Sequence, residues 1–311
     1  MFMSDFSISF AEKKQWLEIG ALVKMSTNQW YHNNGKKGPF ECDDQEMTIF
    51  CEIYEDLDPG ACLIVMDEEN NKIAGSCFVH ERKSHISLGI MNVHPNYYGK
   101  GIANKLINKI IEQAENANLP LRLISSSMNL ESFSLYNKCG FVPQENFQDM
   151  LVKVPQDGIS FEVKEGDKIR QAKISDLEAI NELEKNLTGI DRKADLEYFI
   201  LNKLGLWKTL VYVNCRGEVE GYLNSIFHPA SKMLGPGVMK NETIALALYL
   251  SCLDQFRNET MLALVPCKCL NLIKALYALR AKNCELHFTQ VRGEVYEQHG
   301  ISVPTFLPET A

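Results

Sequence analysis

Apolar residues change their period several times along the chain, and each change marks an element. Over residues 11–25, Trp16, Leu17, Ile19, Leu22 and Val23 recur at helical spacing and predict a helix with one buried face. Gly35 and Gly38 interrupt the pattern, and residues 43–54 resume it as a second helix. Asp58-Pro59-Gly60 then supplies a turn, and the period becomes that of strands over 62–66, 73–79 and 86–93, joined by the polar links 67–72 and 80–85. Three successive antiparallel strands follow from that order. A helix running to residue 116 places Ile102, Leu106, Ile110 and Ile111 on one face, and residues 121–125 form the next strand. Residues 129–139 read as a short helix stopped by Gly140, which suits a left-handed cap, with a further strand after it.

Val154-Pro155-Gln156-Asp157-Gly158 has linker composition and divides the chain into domains at 1–155 and 156–311. Beyond it come helices near 176–186 and 192–204, strands near 209–213 and 219–226, and an expected loop at Leu234-Gly235-Pro236-Gly237. A long helix near 242–256, a strand over 261–265, a helix near 270–279 and a strand over 284–291 complete an order that parallels the first half. The halves therefore read as a diverged internal duplication in an α/β chain. The tail carries Pro304 and Pro308.

With 311 residues the chain is about twice a usual domain, and each half can bury its own core. Hydrophobic residues at 45% and charged residues at 23% describe a globular chain. No apolar run approaches the roughly 20 residues needed to cross a membrane, so no membrane partner is expected. The first residues carry Asp5 and no basic region ahead of an apolar block, which predicts a cytoplasmic protein. Ten cysteines lie mostly within apolar runs, as reduced thiols do, and Cys267 with Cys269 lacks a second pair at zinc-site spacing. No metal is expected. The net charge of −8 argues against a nucleic-acid partner and is compatible with cationic substrates.

The candidate chemistry centres on residues 93–103, which read as a strand end, a glycine-bearing loop and a helix start. Gly99 and Gly101 on either side of Lys100 allow a tight turn whose N–H groups point inward. The following helix adds its unpaired N–H groups and positive dipole end, and together these suit a diphosphate.

Strand, hairpin, strand, cradle, helix, strand and then N-x-x-S-x-x-L-Y-x-K-x-G-F from Asn129 to Phe141 together resemble the GNAT acetyltransferases over residues 43–150. The cradle is similar to the family pattern Gln/Arg-x-x-Gly-x-Gly at Gly99 and Gly101, with Asn96 where glutamine or arginine is usual. More widely, the stretches 87–93 and 283–288 resemble bacterial proteins with two tandem GNAT-fold domains, the second of them degenerate. The resemblance implies two such α/β domains with mixed sheets, and acetyl-CoA as co-substrate in the first. Its pantetheine would pair with the strand edge at Met91, Asn92 and Val93. Its diphosphate would meet the N–H groups of Gly99, Lys100, Gly101, Ile102 and Ala103, with the Lys100 side chain either adding charge or pointing into water. Asn129 resembles the family residue that binds the pantetheine arm, with plain helix capping as the other reading, and Tyr136 resembles the tyrosine that protonates or hydrogen-bonds the departing thiolate, with packing of the short helix on the sheet as the other reading. The expected reaction moves an acetyl group to a primary amine of a small molecule or peptide.

An amine must first lose a proton that it holds with a free pKa near 10, so the reaction needs a base or a water chain. A backbone N–H near Met91 or Asn92 can stabilise the tetrahedral intermediate. Relatives place a carboxylate on the strand entering the cradle, where this chain has Ser87 and Gly89. His80, His85, His94, a water, or a group from the second domain remain open as the base. In the second half, Pro236 removes an N–H a phosphate would use, so that half is expected not to bind coenzyme A. The alternatives are a non-catalytic acyl-CoA sensor or scaffold and, ranked last, transfer of a longer acyl or an aminoacyl group.

Overall fold

A computed structural model describes residues 6–310, which form two compact units. The first comprises the described residues through Glu81, His85–Leu123 and Phe306–Thr310. Its sheet has the spatial order β1 (Phe6–Phe10), β2 (Cys62–Asp67), β3 (Lys72–Glu81), β4 (Ile86–Val93), β5 (Leu121–Ser126). The first three junctions are antiparallel and β4–β5 is parallel. Helices α1 (Trp16–Asn33) and α2 (Ile49–Leu57) lie in the chain between β1 and β2, and α3 (Ile102–Ala117) connects β4 to β5.

Helix α3 buries Ile102, Leu106, Ile107, Ile110 and Ala114, the positions its 3.6-residue period selects. Both α1 and α3 pack on β3 and β4, and strand β3 is accordingly buried over eight consecutive residues instead of alternating. Strand β1 has no counterpart in the sequence reading, although Phe6-Ser7-Ile8-Ser9-Phe10 alternates apolar and polar residues with the period of a strand.

Two irregularities of β4 shape the unit. Its register with β3 shifts between Cys77↔Met91 and Val79↔Leu88, which inserts one extra residue at Gly89-Ile90. Its ladder with β5 pairs Ile86↔Leu121 and Ser87↔Arg122 and then stops, so the strands part where the bulge lies.

The second unit comprises Arg82–Ser84 and Ile124–Thr305. After α4 (Leu130–Lys138) and β6 (Val142–Lys153) the chain repeats the element order of the first unit. It runs through β7 (Lys168–Gln171), α5 (Leu177–Thr188), α6 (Lys193–Leu201), β8 (Trp207–Val213), β9 (Val219–His228) and β10 (Ser231–Met239). It continues with α7 (Glu242–Asp254), β11 (Thr260–Pro266), α8 (Leu270–Ala278), β12 (Lys282–Arg292) and β13 (Ile301–Val303). Strands β7 to β10 pair antiparallel in sequence order and β10–β11 is parallel, matching the pairing of β1 to β5. Strand β6 lies between β11 and β12, antiparallel to both. Ala172, Leu177, Ile180, Leu196, Val211 and Tyr222 form part of its core.

One expectation is corrected. Leu234-Gly235-Pro236-Gly237 is not a loop but the interior of β10, crossed by a register shift against β9 between Leu234 and Gly237. Met233 pairs with Ile226 before it and Val238 with Tyr222 after it, so the flanking ladder holds the strand through residues of turn composition. Gly235 is required for another reason: a Cβ there would stand 2.4 Å from the carbonyl oxygen of Pro304.

Beyond Leu234 the edge of β10 is taken by the chain itself. The parallel ladder to β11 covers Met233↔Leu262 and Leu234↔Ala263, and β13 then pairs antiparallel with Gly237, Val238 and Met239. The tail ends with β14 (Thr305–Phe306) paired to β15 (Glu309–Thr310), and β15 packs against β4 in the first unit.

Candidate active site

The turn between β4 and α3 is assembled from its floor upward. Pro95–Tyr97 forms a single 3-10 turn, capped by His94, whose Nδ1 accepts the Asn96 N–H at 3.2 Å. Burial and the charge of Lys72 push the His94 pKa down, in keeping with a ring held as a neutral acceptor. The buried Tyr97 donates its hydroxyl to Asp67 Oδ2 at 2.8 Å, and Lys100 Nζ lies 4.8 Å above the Tyr97 ring. Lys100 is exposed.

Gly99 (φ 75°) and Gly101 (φ 79°) are left-handed, and a Cβ built on either meets nothing within 4 Å. Their outer side is open. Gly101 caps α3 without a side-chain acceptor, and the first turn of the helix holds no acidic residue. The N–H groups of Ile102 and Ala103 therefore have no intrahelical acceptor and meet the positive end of the dipole. The Ile102 side chain is buried against the Gly75 position, leaving its backbone as the part it can offer a ligand.

On β4, Met91, Asn92 and Val93 pair with Cys77, Ser76 and Gly75. The Asn92 carboxamide accepts from Ser26 on α1, so its side chain is engaged away from the edge. Asn92 Nδ2 and Ser76 Oγ are cross-strand neighbours, both buried and without a hydrogen-bond partner among the described residues.

At the bulge, Tyr54 reaches across from α2. Its ring stacks on Phe78 and on His80, each at 4.3 Å between centroids. Its hydroxyl oxygen accepts the Glu309 backbone N–H at 2.7 Å and is also bonded by the Ile90 backbone N–H. Burial pushes the phenol pKa well above its ordinary value, and the charge of Glu309 adds to this, so Tyr54 stays protonated. Gly89 makes room for it, since a Cβ there would lie 2.5 Å from the hydroxyl oxygen. Gly89→Ala is expected to lose about 1–3 kcal/mol of stability by displacing Tyr54; urea unfolding followed by hydrogen exchange at β3 and β4 measures it.

The three histidines are each held in place. His80 is buried with Nδ1 2.5 Å from Asp58 Oδ2, and His85 is buried with Nε2 3.1 Å from Ser87 Oγ. His94 caps the turn.

Asn129 and Tyr136 belong to the second unit. Asn129 Oδ1 accepts the Ser132 N–H at 3.0 Å and caps α4. Tyr136 is buried within α4, its ring 5.8 Å from that of Phe141, and Gly140 ends the helix with φ 87°. In the same unit Asp149, Glu285 and His287 place ligand-type atoms within 4.8 Å of one another. His287 Nδ1 lies 3.0 Å from Asp149 Oδ1, and although burial opposes charge on the ring, the two carboxylates raise its pKa. An ion-paired imidazolium accounts for that cluster.

Two residues stand out that sequence reasoning did not single out, Tyr54 and Glu309. A glycine inside a strand, Gly89, is the trace that Tyr54 leaves in the sequence, because it marks a close approach. Glu309 leaves none, since a polar residue in a proline-bearing tail has no periodicity to read.

Residues 26–141 match the model of the acetyltransferase (GNAT) family. No curated protein matches the chain by sequence. Among solved structures, a protein from Pyrococcus horikoshii described as a candidate acetyltransferase superposes with a TM-score of 0.75 at 16% identity, covering 99% of this chain and 97% of its own. A GCN5-related N-acetyltransferase from Sphaerobacter thermophilus gives 0.65 at 15% identity, covering 96% and 98%. A tandem GNAT protein from the clavulanic acid biosynthesis pathway gives 0.59 at 14% identity, covering 94% and 99%. At these identities the likenesses establish the fold, which is that of tandem GNAT proteins.

Proposed function

We propose that this chain, whose residues 26–141 match the acetyltransferase (GNAT) family model, moves an acetyl group from acetyl-CoA to a primary amine of a small molecule or peptide. The observation that carries this reading is the open turn at Gly99 and Gly101, ahead of an uncapped helix, in the same unit as a bulged strand that parts from its parallel neighbour. An anion with several oxygens fits the first, and an extended amide-bearing arm fits the second.

In this reading the diphosphate sits on the N–H groups of Gly99, Gly101, Ile102 and Ala103, the Lys100 N–H being given to the Tyr97 carbonyl oxygen at 3.2 Å, and the pantetheine runs along Met91, Asn92 and Val93. The thioester carbonyl then lies near the bulge, where a backbone N–H meets the negative charge that develops on oxygen. The amine attacks the carbonyl carbon, the C–S bond breaks, and the thiolate takes a proton that the family motif assigns to Tyr136. The second unit has no equivalent cradle. Two residues, Lys240 and Asn241, separate β10 from α7, the Asn241 side chain already accepts the Ile244 N–H at 3.1 Å, and β13 covers the strand edge. One donor per chain follows.

The second reading is an acyl-CoA sensor, favoured by the lack of any titratable side chain on β4. Native mass spectrometry with acetyl-CoA counts donors per chain, with one expected; none would remove the acyl-CoA reading, and two would return a donor site to the second unit. Thiol release on adding spermidine, tobramycin, lysine or a lysine peptide separates enzyme from sensor. Tyr136→Phe is expected to lower turnover about 10²-fold or more with donor stoichiometry unchanged.

A further inference from the structure

The bulge of β4 decides which of its N–H groups face the open edge, and one side chain meets both strands of that bulge. Ahead of it, the Ile86 N–H points to the side of β5 and bonds the Pro120 carbonyl oxygen at 2.9 Å. Past it, the His94 N–H points to the opposite side and bonds the carbonyl oxygen of Ala74 on β3 at 2.9 Å. In a regular strand alternate residues share a side, so 86 and 94 would face the same neighbour. The extra residue reverses the series, and Met91 and Val93 come to present their N–H groups where β4 has parted from β5.

Gly89 and Ile90 stand there opposite the single residue Phe78. Tyr54 stacks its ring on Phe78 at 4.3 Å between centroids, and its hydroxyl oxygen fills the space Gly89 leaves, 2.5 Å from where a Cβ would be. The same oxygen takes the tail's Glu309 N–H at 2.7 Å, and the Ile90 N–H turns toward it. Tyr54 is fully buried, so close packing leaves the phenol one position. Helix α2, both strands of the bulge and the tail thus meet on one oxygen.

We propose that Tyr54 is a positioning residue of this site, which holds the Gly89-Ile90 bulge so that the Met91 N–H is aimed at the oxygen of the bound thioester. This rests on the acetyl-transfer reading above. The phenol does not touch the donor and exchanges no proton. As the amine lone pair forms the C–N bond, the carbonyl π pair moves to oxygen, and an N–H already in place meets that charge without rearrangement of the strand. Collapse restores the carbonyl, and the electron pair of the C–S bond leaves on sulfur. Tyr54→Phe keeps the ring on Phe78 and removes only the oxygen, which frees the bulge while the helix stays packed. A misplacement of about 1 Å at a reacting centre costs on the order of 10²-fold in rate.

The test compares wild type, Tyr54→Phe and Glu309→Pro, the last of which deletes the tail's N–H and leaves the phenol. Native mass spectrometry counts bound acetyl-CoA, infrared spectroscopy reads the stretch of its isotopically labelled thioester carbonyl in the complex, and thiol release with spermidine, tobramycin, lysine and a lysine peptide gives kcat and KM. In Tyr54→Phe the donor stoichiometry and the KM for acetyl-CoA are expected to hold, the carbonyl stretch to move toward that of free acetyl-CoA, and kcat to fall about 10- to 100-fold. Glu309→Pro should shift the stretch and kcat in the same direction, and it decides the matter if Tyr54→Phe fails to fold. A role confined to stability would lower the melting temperature and leave the bound carbonyl at its wild-type frequency; that result, or a wild-type kcat in Tyr54→Phe, would overturn the assignment alone. Bound acetyl-CoA with no release from any amine in wild type would overturn the transfer reading and this assignment with it.

Discussion

Gly101→Asp should cost the chain at least 100-fold in acetyl-CoA affinity while leaving its fold intact. The two effects separate because Gly101 is a left-handed N-cap with open space outside it (φ 79°), a place where aspartate is among the better tolerated residues. An aspartate there has the chemistry of a helix cap, and its carboxylate can take an N–H of the first turn and meet the positive dipole end, both of which stabilise α3. Those are the same donors the diphosphate would use, and the new charge repels it. A 100-fold loss is about 2.8 kcal/mol, more than the helix dipole alone supplies, because occupied donors and like charge act together. Calorimetric titration with acetyl-CoA beside a thermal melt measures both quantities. An unchanged affinity in a folded Gly101→Asp protein would place the donor elsewhere.

Glu184→Ala is expected to destabilise the second unit by about 3–5 kcal/mol, the largest stability effect anticipated for a single side chain here. Glu184 and Arg192 are fully or nearly buried, the guanidinium donates to Glu184, and the Tyr222 hydroxyl donates to Glu184 Oε2 at 2.9 Å. Burial works against the Arg192 charge, but Glu184 outweighs it and the guanidinium pKa is raised. Truncating Glu184 strands that cation and leaves Tyr222 without its acceptor, whereas Glu184→Met with Arg192→Met removes both charges. The double variant should recover most of the lost stability. Denaturant unfolding monitored by hydrogen exchange at α5 and β9 tests the ordering; a double variant no more stable than the single one would show that the network, and not the orphaned charge, carries the energy.

These experiments probe features that differed in how far they could be read beforehand. The turn at Gly99 and Gly101 was legible because glycines at left-handed positions ahead of a helix leave a short, local pattern, and local patterns survive without knowledge of the fold. Asn129 and Tyr136 were legible as a motif on a predicted short helix, which α4 is. The Leu234–Gly237 stretch misled for a complementary reason. Gly-Pro-Gly has turn composition, yet two neighbouring strands hold it in β10, and pairing across hundreds of atoms outweighs a three-residue preference.

Residues close in sequence determined most of the elements: helical period in α3, strand runs in β2 to β4, the cap at Gly140, and the repeated order of the two halves. Each depends on a hydrophobic face or backbone preference that a few neighbouring residues specify by themselves. Tertiary structure decided what distant segments share. It laid β6 between β11 and β12, set β13 on the edge of β10, and brought Glu309 to Tyr54, 255 residues away, beneath the bulge of β4. Strand edges accept any extended segment with free N–H and C=O groups, so their partners are chosen by the packing of the whole chain and leave no local mark in the sequence.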